Sequence, residues 1–318
     1  MSRNAHNIVI KVGTAVLTGG GRELDVGYMD ELVRQIASLY NSNNPASNDG
    51  RGHCKPVHRV ALVTSGAIRA GMTALGLLEL NTIAEQQAAA AIGQGLLMSI
   101  YRELFARHEI PVAQVLLTRD DVAVRSRFLN ARHTFQKLFE WGALPIVNEN
   151  DTVAVDEIKF GDNDHLAALV GLIVDADLII MLSDVDGFYL HPKGRHTRPL
   201  DTVTEITPQM REAAEDSKTS LGTGGMVSKL EAAEVAMSCG MPMVIAHGRE
   251  KDVLLRIVSG EHIGTFFMPA RRLRGKKRWL AYAPRARGKI IVNVGAMEQI
   301  VHHGKSLLPV GIINIEGS

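Results

Sequence analysis

The stretch Ile8-Val9-Ile10-Lys11-Val12-Gly13-Thr14 is a short apolar run broken by one lysine and closed by a glycine and a hydroxyl residue. It has no period of two, so it predicts a strand covered on both faces, of the kind found in parallel sheets. The same pattern recurs at Val60–Val63, Val112–Leu117, Pro145–Val147, Leu178–Leu182 and Met243–Ala246. Segments of helical character lie between most of these runs. The clearest begins near Thr82, where Ile92, Leu96, Ile100 and Leu104 repeat at a spacing of four and predict a buried stripe. This alternation predicts an α/β domain around a mainly parallel sheet, with ligands gathered where the strands' C-terminal ends meet the following loops.

The chain has 318 residues, 46% of them hydrophobic, which is ample for a large core, and its net charge of +1 excludes a general polyanion binder. Cys54 and Cys239 lie far apart and form neither a metal-like nor a redox-like spacing, as expected of reduced thiols. The first residues, MSRNAHNIVI, are too few and too polar before the first strand to read as a signal peptide. Leu166–Leu182, the most apolar longer stretch, is interrupted by Asp175 and Asp177 and predicts a helix end, a turn and a buried strand rather than a membrane span. The expectation is a cytoplasmic protein with no membrane partner.

Asn41–His58, rich in Asn, Ser, Gly and Pro, predicts a long surface loop. From Arg271 to Lys289 there are nine Lys or Arg residues and no acid, and a short β-like segment, Lys289–Val294, follows. These shifts place a boundary near residue 270, giving a domain over 1–269 and a basic linker with a short β-rich extension over 270–318.

Five segments at predicted strand or helix ends carry possible chemistry. Lys11 with Gly13 and Thr14 offers a fixed charge beside exposed N–H groups, which suits phosphate oxygens. Ser65, in Val63-Thr64-Ser65-Gly66-Ala67, stands where a helix N-terminus could hold a carboxylate. Asn148-Glu149-Asn150-Asp151 follows the strand Pro145–Val147, with Lys159 and Gly161-Asp162-Asn163-Asp164 beyond it. Such acids and amides can grip an ammonium group and orient a catalytic lysine. Ser183-Asp184-Val185-Asp186-Gly187 ends another strand, and Gly222-Thr223-Gly224-Gly225-Met226-Val227-Ser228-Lys229 lets backbone approach phosphates before opening a helix. Each has an ordinary alternative in isolation: a solvated strand-end lysine, an N-cap serine, an acidic loop, a β-turn, a flexible glycine loop.

Known phosphate scaffolds are absent from the sequence. Gly304-Lys305-Ser306 has Gln299 where a P-loop needs its first glycine, and the run from Gly222 fails as a dinucleotide fingerprint at Val227. No protein-kinase or H-E-x-x-H motif occurs. What remains is a parts list for phosphoryl transfer, where catalysis is mostly positioning and cancellation of charge. A carboxylate acceptor is already ionised near neutrality and needs no base, which fits a site with lysines and no poised His or Cys.

IKVGTAVLTGG, LVTSGAIRAG, LLTRDDV with RFLNARHTF, PIVNENDTVAVDEIKFGDND, LSDVDGFY and GTGGMVSKLEAA, in that order from Val9 to roughly Phe267, resemble the amino-acid kinase family. The combination of TSGAI, NEND, GDND and GTGGM–Lys229 resembles most its branch that phosphorylates the side-chain carboxylate of L-glutamate at the start of proline biosynthesis. The resemblance implies a three-layer αβα sandwich with a mainly parallel central sheet. It implies that Lys11 and Lys229 stabilise the transferring group and that Asp164 holds them. Ser65, Asp151, Asn163 and Asn148 would bind glutamate. Lys11, Gly13, Ser183, Asp184, Thr223, Gly224, Gly225, Met226, Val227, Ser228 and Lys229 would bind ATP. Mg²⁺ would bridge the ATP phosphates without an all-protein cage. Feedback inhibition by proline and a homo-oligomer, dimer or tetramer, are further implications.

Ser183 departs from the threonine usual there but keeps the hydroxyl. The tail resembles the start of a PUA domain, although the residues after Lys276 are too few for a complete barrel. The Arg271–Lys289 run reads as a solvated linker more readily than as an RNA-binding surface. Two rival readings remain: an aspartokinase-like member of the family, or a catalytically silent ligand-sensing or RNA-binding protein on this fold. Lys11, Asp164 and Lys229 together argue against silence.

Overall fold

The structure, a computed structural model, describes residues 7–41, 58–153, 163–190, 198–216, 225–271, 273 and 288–317. Contacts divide the chain into a large unit reaching residue 282 and a small one beyond it.

The large unit is built on a sheet of eight strands: β1 (Asn7–Val12), β2 (Arg59–Thr64), β3 (Val112–Leu117), β4 (Leu144–Glu149), β5 (Leu178–Ser183), β6 (Thr202–Val203), β7 (Met243–His247) and β8 (Thr265–Phe267), in the order β3-β4-β2-β1-β5-β7-β8-β6. Every pairing from β3 across to β7 is parallel, and β8 joins β7 antiparallel at the far side. All six strands expected from sequence are present; the short β6 and β8 were not anticipated. Alternate side chains of β1 enter different cores: Val9 packs with Val63, Val147, Ile179 and Met181 on one face, while Ile8, Ile10 and Val12 pack with Leu62, Ile146 and Ile180 on the other. Burial on both sides is why these strands read as unbroken apolar runs.

Helices cover both faces, completing the three-layer αβα sandwich. One core is closed by α6 (Arg125–Glu140), α7 (Asn163–Val174), α8 (Pro208–Asp216) and α9 (Met226–Ser238), after the short α5 (Arg119–Ala123). The other is closed by α1 (Thr14–Thr18), α2 (Val26–Asn41), α4 (Ile83–Ala106) and α10 (Val253–Ser259), with α3 (Ala67–Leu75) packed on α4. Between α7 and β5 the chain turns through Asp175 at φ 57°, so Leu166–Leu182 is a helix end, a turn and a strand as expected. The loop expected at 41–58 falls almost wholly outside the described residues.

Helix α4 starts where the sequence places it. Thr82 caps it by accepting from Glu85 N at 3.2 Å while the Glu85 carboxylate accepts from Thr82 N at 3.0 Å. Its buried face is only partly the expected one. Leu104 is buried and Ile100 packs against the core, but Ile92 and Leu96 are 44% and 43% exposed, and Ala89, Ala90, Gly93, Leu97 and Tyr101 complete the buried face instead. The reason is geometric: each four-residue step overshoots one turn by about 40°, so Ile92 and Leu104 point about 120° apart and cannot share one face.

The small unit pairs β9 (Gly288–Val292) antiparallel with β10 (Ile312–Gly317). Between them lies α11 (Val294–Val301), capped by the Asn293 side chain accepting from Ala296 N at 2.9 Å. Among the described residues the β-rich extension is therefore a two-stranded sheet with one α-helix and a 3-10 turn, Pro309–Gly311.

Helices α3 and α4 approach so closely that a Cβ on Gly93 would lie 1.8 Å from Ala67 O and 2.4 Å from Gly71 N. Both are backbone atoms, which cannot yield by rotating a side chain. Gly93→Ala should therefore cost roughly 1–3 kcal/mol, lowering the thermal unfolding midpoint by about 2–5 °C. An unchanged midpoint in a thermal melt would mean that the two helices slide apart freely.

Candidate active site

In a parallel sheet the carboxyl ends of β1, β2, β4 and β5 fall on one edge, and the side chains singled out in the sequence sit there. Asp164, in the first turn of α7, is 1% exposed and lies between two lysines. Lys11, on β1, pairs with its Oδ1, and Lys229, in the first turn of α9, reaches its Oδ2 at 3.2 Å. The Ser228 hydroxyl donates to the same Oδ2 at 2.7 Å. Burial alone would raise the pKa of Asp164, but the two lysines and these hydrogen bonds outweigh it and bring it down to about 2. The carboxylate is thus permanently charged near neutrality. Asp164 thus gathers two buried ammonium groups at one place, where phosphate oxygens could meet them. Gly13 keeps the space beside it open, since a Cβ there would stand 3.3 Å from Lys11 Nζ.

The neighbouring residue organises a second cluster. Asn163 Nδ2 lies 3.0 Å from Thr64 O, 2.9 Å from Ser65 Oγ and 3.0 Å from Asn148 Oδ1. These partners meet because β2 and β4 run parallel with Leu62 opposite Ile146 and Val63 opposite Val147, so the residues after each strand are neighbours. Asn163 Oδ1 is buried without a partner. Asp151 is buried as well; loss of water and the nearby Glu149 raise its pKa to about 7. The orphan acceptor, and the acid poised at neutrality in the loop after β4, are each suited to a cationic donor such as an ammonium group.

The remaining predicted residues divide between described and undescribed ones. Ser183 ends β5, one residue beyond the Val12–Leu182 pair, and its hydroxyl lies 3.1 Å from Asp184 Oδ1. Gly225 is the N-cap of α9, and Met226 and Val227 are partly buried against the core, which aims Ser228 and Lys229 at Asp164. Thr223, Gly224 and Lys159 lie outside the described residues. Among the described residues no group of three metal-ligating side chains occurs. Sequence reasoning missed Ser228 as a ligand of Asp164, and it missed two residues of α4. Tyr101 OH stands 2.8 Å from Thr64 Oγ1, and Gln94 Oε1 accepts from Asn148 Nδ2 at 2.8 Å. Only their seven-residue separation, two turns on one helix face, could have signalled that pair.

A family model described as the amino acid kinase family matches residues 7–247. A glutamate 5-kinase of Moorella thermoacetica is 48% identical over 317 residues, spanning 98% of this chain and 80% of that protein. One from Carboxydothermus hydrogenoformans is 44% identical over 319 residues, spanning 99% and 82%. Among solved structures, a UMP kinase from Bacillus anthracis superposes with a TM-score of 0.53 over 85% of this chain and 99% of that one; at 14% identity it speaks for the fold alone.

Replacing Asp164 by asparagine leaves two buried lysines against a neutral amide, which should cost about 3–5 kcal/mol of stability at neutral pH. Because the folded pKa lies below the ordinary 3.8, the carboxylate's contribution is complete above that value and fades as pH falls towards about 2. Urea unfolding of parent and Asp164→Asn should therefore draw together between about pH 4 and pH 2. Equal stability at pH 7 would show that the trio does not depend on its anion.

Proposed function

The chain belongs to the amino acid kinase family, in its glutamate 5-kinase branch, and from that premise we propose that it transfers the γ-phosphoryl group of ATP to the side-chain carboxylate of L-glutamate. The product is L-glutamyl 5-phosphate, at the first step of proline biosynthesis. One observation carries the reading: the consecutive residues Asn163 and Asp164 turn to different clusters, one a cradle of an amide and a hydroxyl and the other a pair of buried lysines. Donor and acceptor sites joined at one helix start suit an in-line transfer.

In this reading a carboxylate oxygen of glutamate attacks the γ-phosphorus as the bond to the ADP oxygen breaks, giving an acyl phosphate and ADP. Lys11 and Lys229 face the charge spread over the transferring group, and Asp164 fixes both in advance, so little reorganisation is needed at the moment of transfer. No proton has to be removed from the acceptor, whose carboxyl is ionised well below neutral pH. Asn163 Oδ1 and Asp151 receive the ammonium group, while Ser65 offers a hydroxyl proton to a carboxylate. Gly13, Ser183, Asp184 and the segment Thr223–Lys229 hold the nucleotide. Mg²⁺ would ride on the ATP phosphates, because both oxygens of Asp164 are already engaged. Kinship with the family supports proline as feedback inhibitor, a homo-oligomer and a cytoplasmic setting; among the described residues no helix is long and apolar enough to cross a membrane.

The deciding assay supplies ATP, Mg²⁺ and each common amino acid in turn and traps acyl phosphate with hydroxylamine. Glutamate-dependent hydroxamate is expected. Turnover with aspartate alone would move the acceptor assignment elsewhere in the family, and no turnover with any amino acid would favour a silent sensor.

Asp151 adds a pH dependence. Only its ionised form attracts the ammonium group, and with a pKa of about 7 that form grows with pH. The KM for glutamate should fall about tenfold between pH 6 and pH 8. Asp151→Asn should bind glutamate weakly with a flat profile; an inflection that survives in this variant would assign the titration to another group.

A further inference from the structure

Helix α4 supplies no residue to the transfer just described, yet it sends two polar side chains into the acceptor cluster. Tyr101 is fully buried against Thr64, whose carbonyl accepts from Asn163. Gln94, two turns earlier, accepts from Asn148 Nδ2 at 2.8 Å through Oε1. That bond fixes the rest of the cluster. With its nitrogen committed to Gln94, Asn148 turns its Oδ1 inward, where it accepts from Asn163 Nδ2 at 3.0 Å and Glu149 N at 2.9 Å. Were Asn148 flipped, its amide hydrogens would face those two donors. The orientation passes on to Asn163, whose two amide hydrogens are then shared among Thr64 O, Ser65 Oγ and Asn148 Oδ1. Asn163 Oδ1 is left as a bare acceptor, and Ser65, already accepting, has its proton to give.

We propose that Gln94 is a positioning residue for the acceptor: its Oε1 sets the direction of the Asn148–Asn163–Ser65 relay, and with it which end of an α-amino acid meets an acceptor and which meets a donor. The proposal rests on the reading of this cluster as the acceptor site. A second observation supports it. Gln94 Nε2 is buried with no partner, a desolvation cost that a methionine of similar volume would avoid. A side chain needed only for packing gains nothing from that amide; one needed for its acceptor oxygen must carry it. The close approach of α3 and α4 at Gly93, the preceding residue, brings Gln94 within reach of Asn148.

The test compares the parent with Gln94→Met, Gln94→Asn and Gln94→Glu, with Ser65→Ala as control, by hydroxamate kinetics and thermal melts. Methionine offers no acceptor oxygen and asparagine is too short to reach, so each should raise the KM for glutamate about tenfold or more while the KM for ATP stays within about twofold. Glutamate at position 94 keeps an oxygen for Asn148 Nδ2 and should restore most of the affinity. A KM for glutamate within about twofold of the parent in both Gln94→Met and Gln94→Asn, with Ser65→Ala impaired, overturns the role of Gln94 but leaves the acceptor site standing. Parallel rises in both KM values, or failure of Gln94→Glu to recover, reduce Gln94 to a packing role and also overturn it. An unimpaired Ser65→Ala removes the acceptor-site reading and the inference with it. Should Gln94→Met fail to fold, the pair Gln94→Asn and Gln94→Glu decides.

Discussion

The carboxylate of Asp164 holds together lysines from near the start and far along the chain. Lys11 ends a strand and Lys229 opens a helix, and both side chains are buried where a lysine ordinarily avoids going. Coulomb attraction at this depth is strong, but so is the loss of hydration. The arrangement persists because three separate elements are forced to end at the same place. Parallel strands align their carboxyl ends, and the helices that follow start beside them. An antiparallel sheet would carry the same residues to opposite edges. The fold's directionality is therefore what makes the trio possible.

The start of α7 divides the labour. Asp164 faces the lysines and Asn163 faces Ser65 and Asn148, so a single backbone turn sets the distance between the two halves of the site. Phosphoryl transfer needs little covalent participation from the protein and much geometric discipline. Building donor and acceptor pockets on adjacent residues of a helix that is itself core meets that need, since Leu166, Ala167, Leu169 and Val170 of the same helix are all buried. A shift of α7 would move both pockets together and leave their separation unchanged.

Much of this was legible in the sequence because strands buried on both faces announce themselves as apolar runs, and their ends announce the site. Lys11, Ser65, Asn148 and Ser183 all stand at or just beyond such runs, and the structure brings them to one edge. Three features escaped. The stripe along α4 was misplaced because an exact spacing of four winds around the helix, and Gly93, silent in a hydrophobic pattern, marks the true contact. Gln94 and Tyr101 act across 54 and 37 positions of sequence, through hydrogen bonds that no local pattern encodes. The raised pKa of Asp151 depends on burial and on Glu149, two residues away, whose spacing alone does not say whether the pair is solvated.

The two pockets are incomplete in opposite senses. The lysine trio gathers two ammonium groups on a single carboxylate, and the amide cradle has a bare acceptor, with an acid in the loop after β4 whose pKa burial raises to about 7. Each defect costs stability in the free protein, and each is of the sign its proposed ligand would cancel: phosphate oxygens on one side, an ammonium group on the other. Defects arising from indifferent packing would carry no such correlation, and a core redesigned for stability would remove both. The chain keeps two buried lysines and an unsatisfied oxygen on either side of one helix start. That placement ties the free protein's least comfortable electrostatics to the chemistry of the two molecules it would bring together.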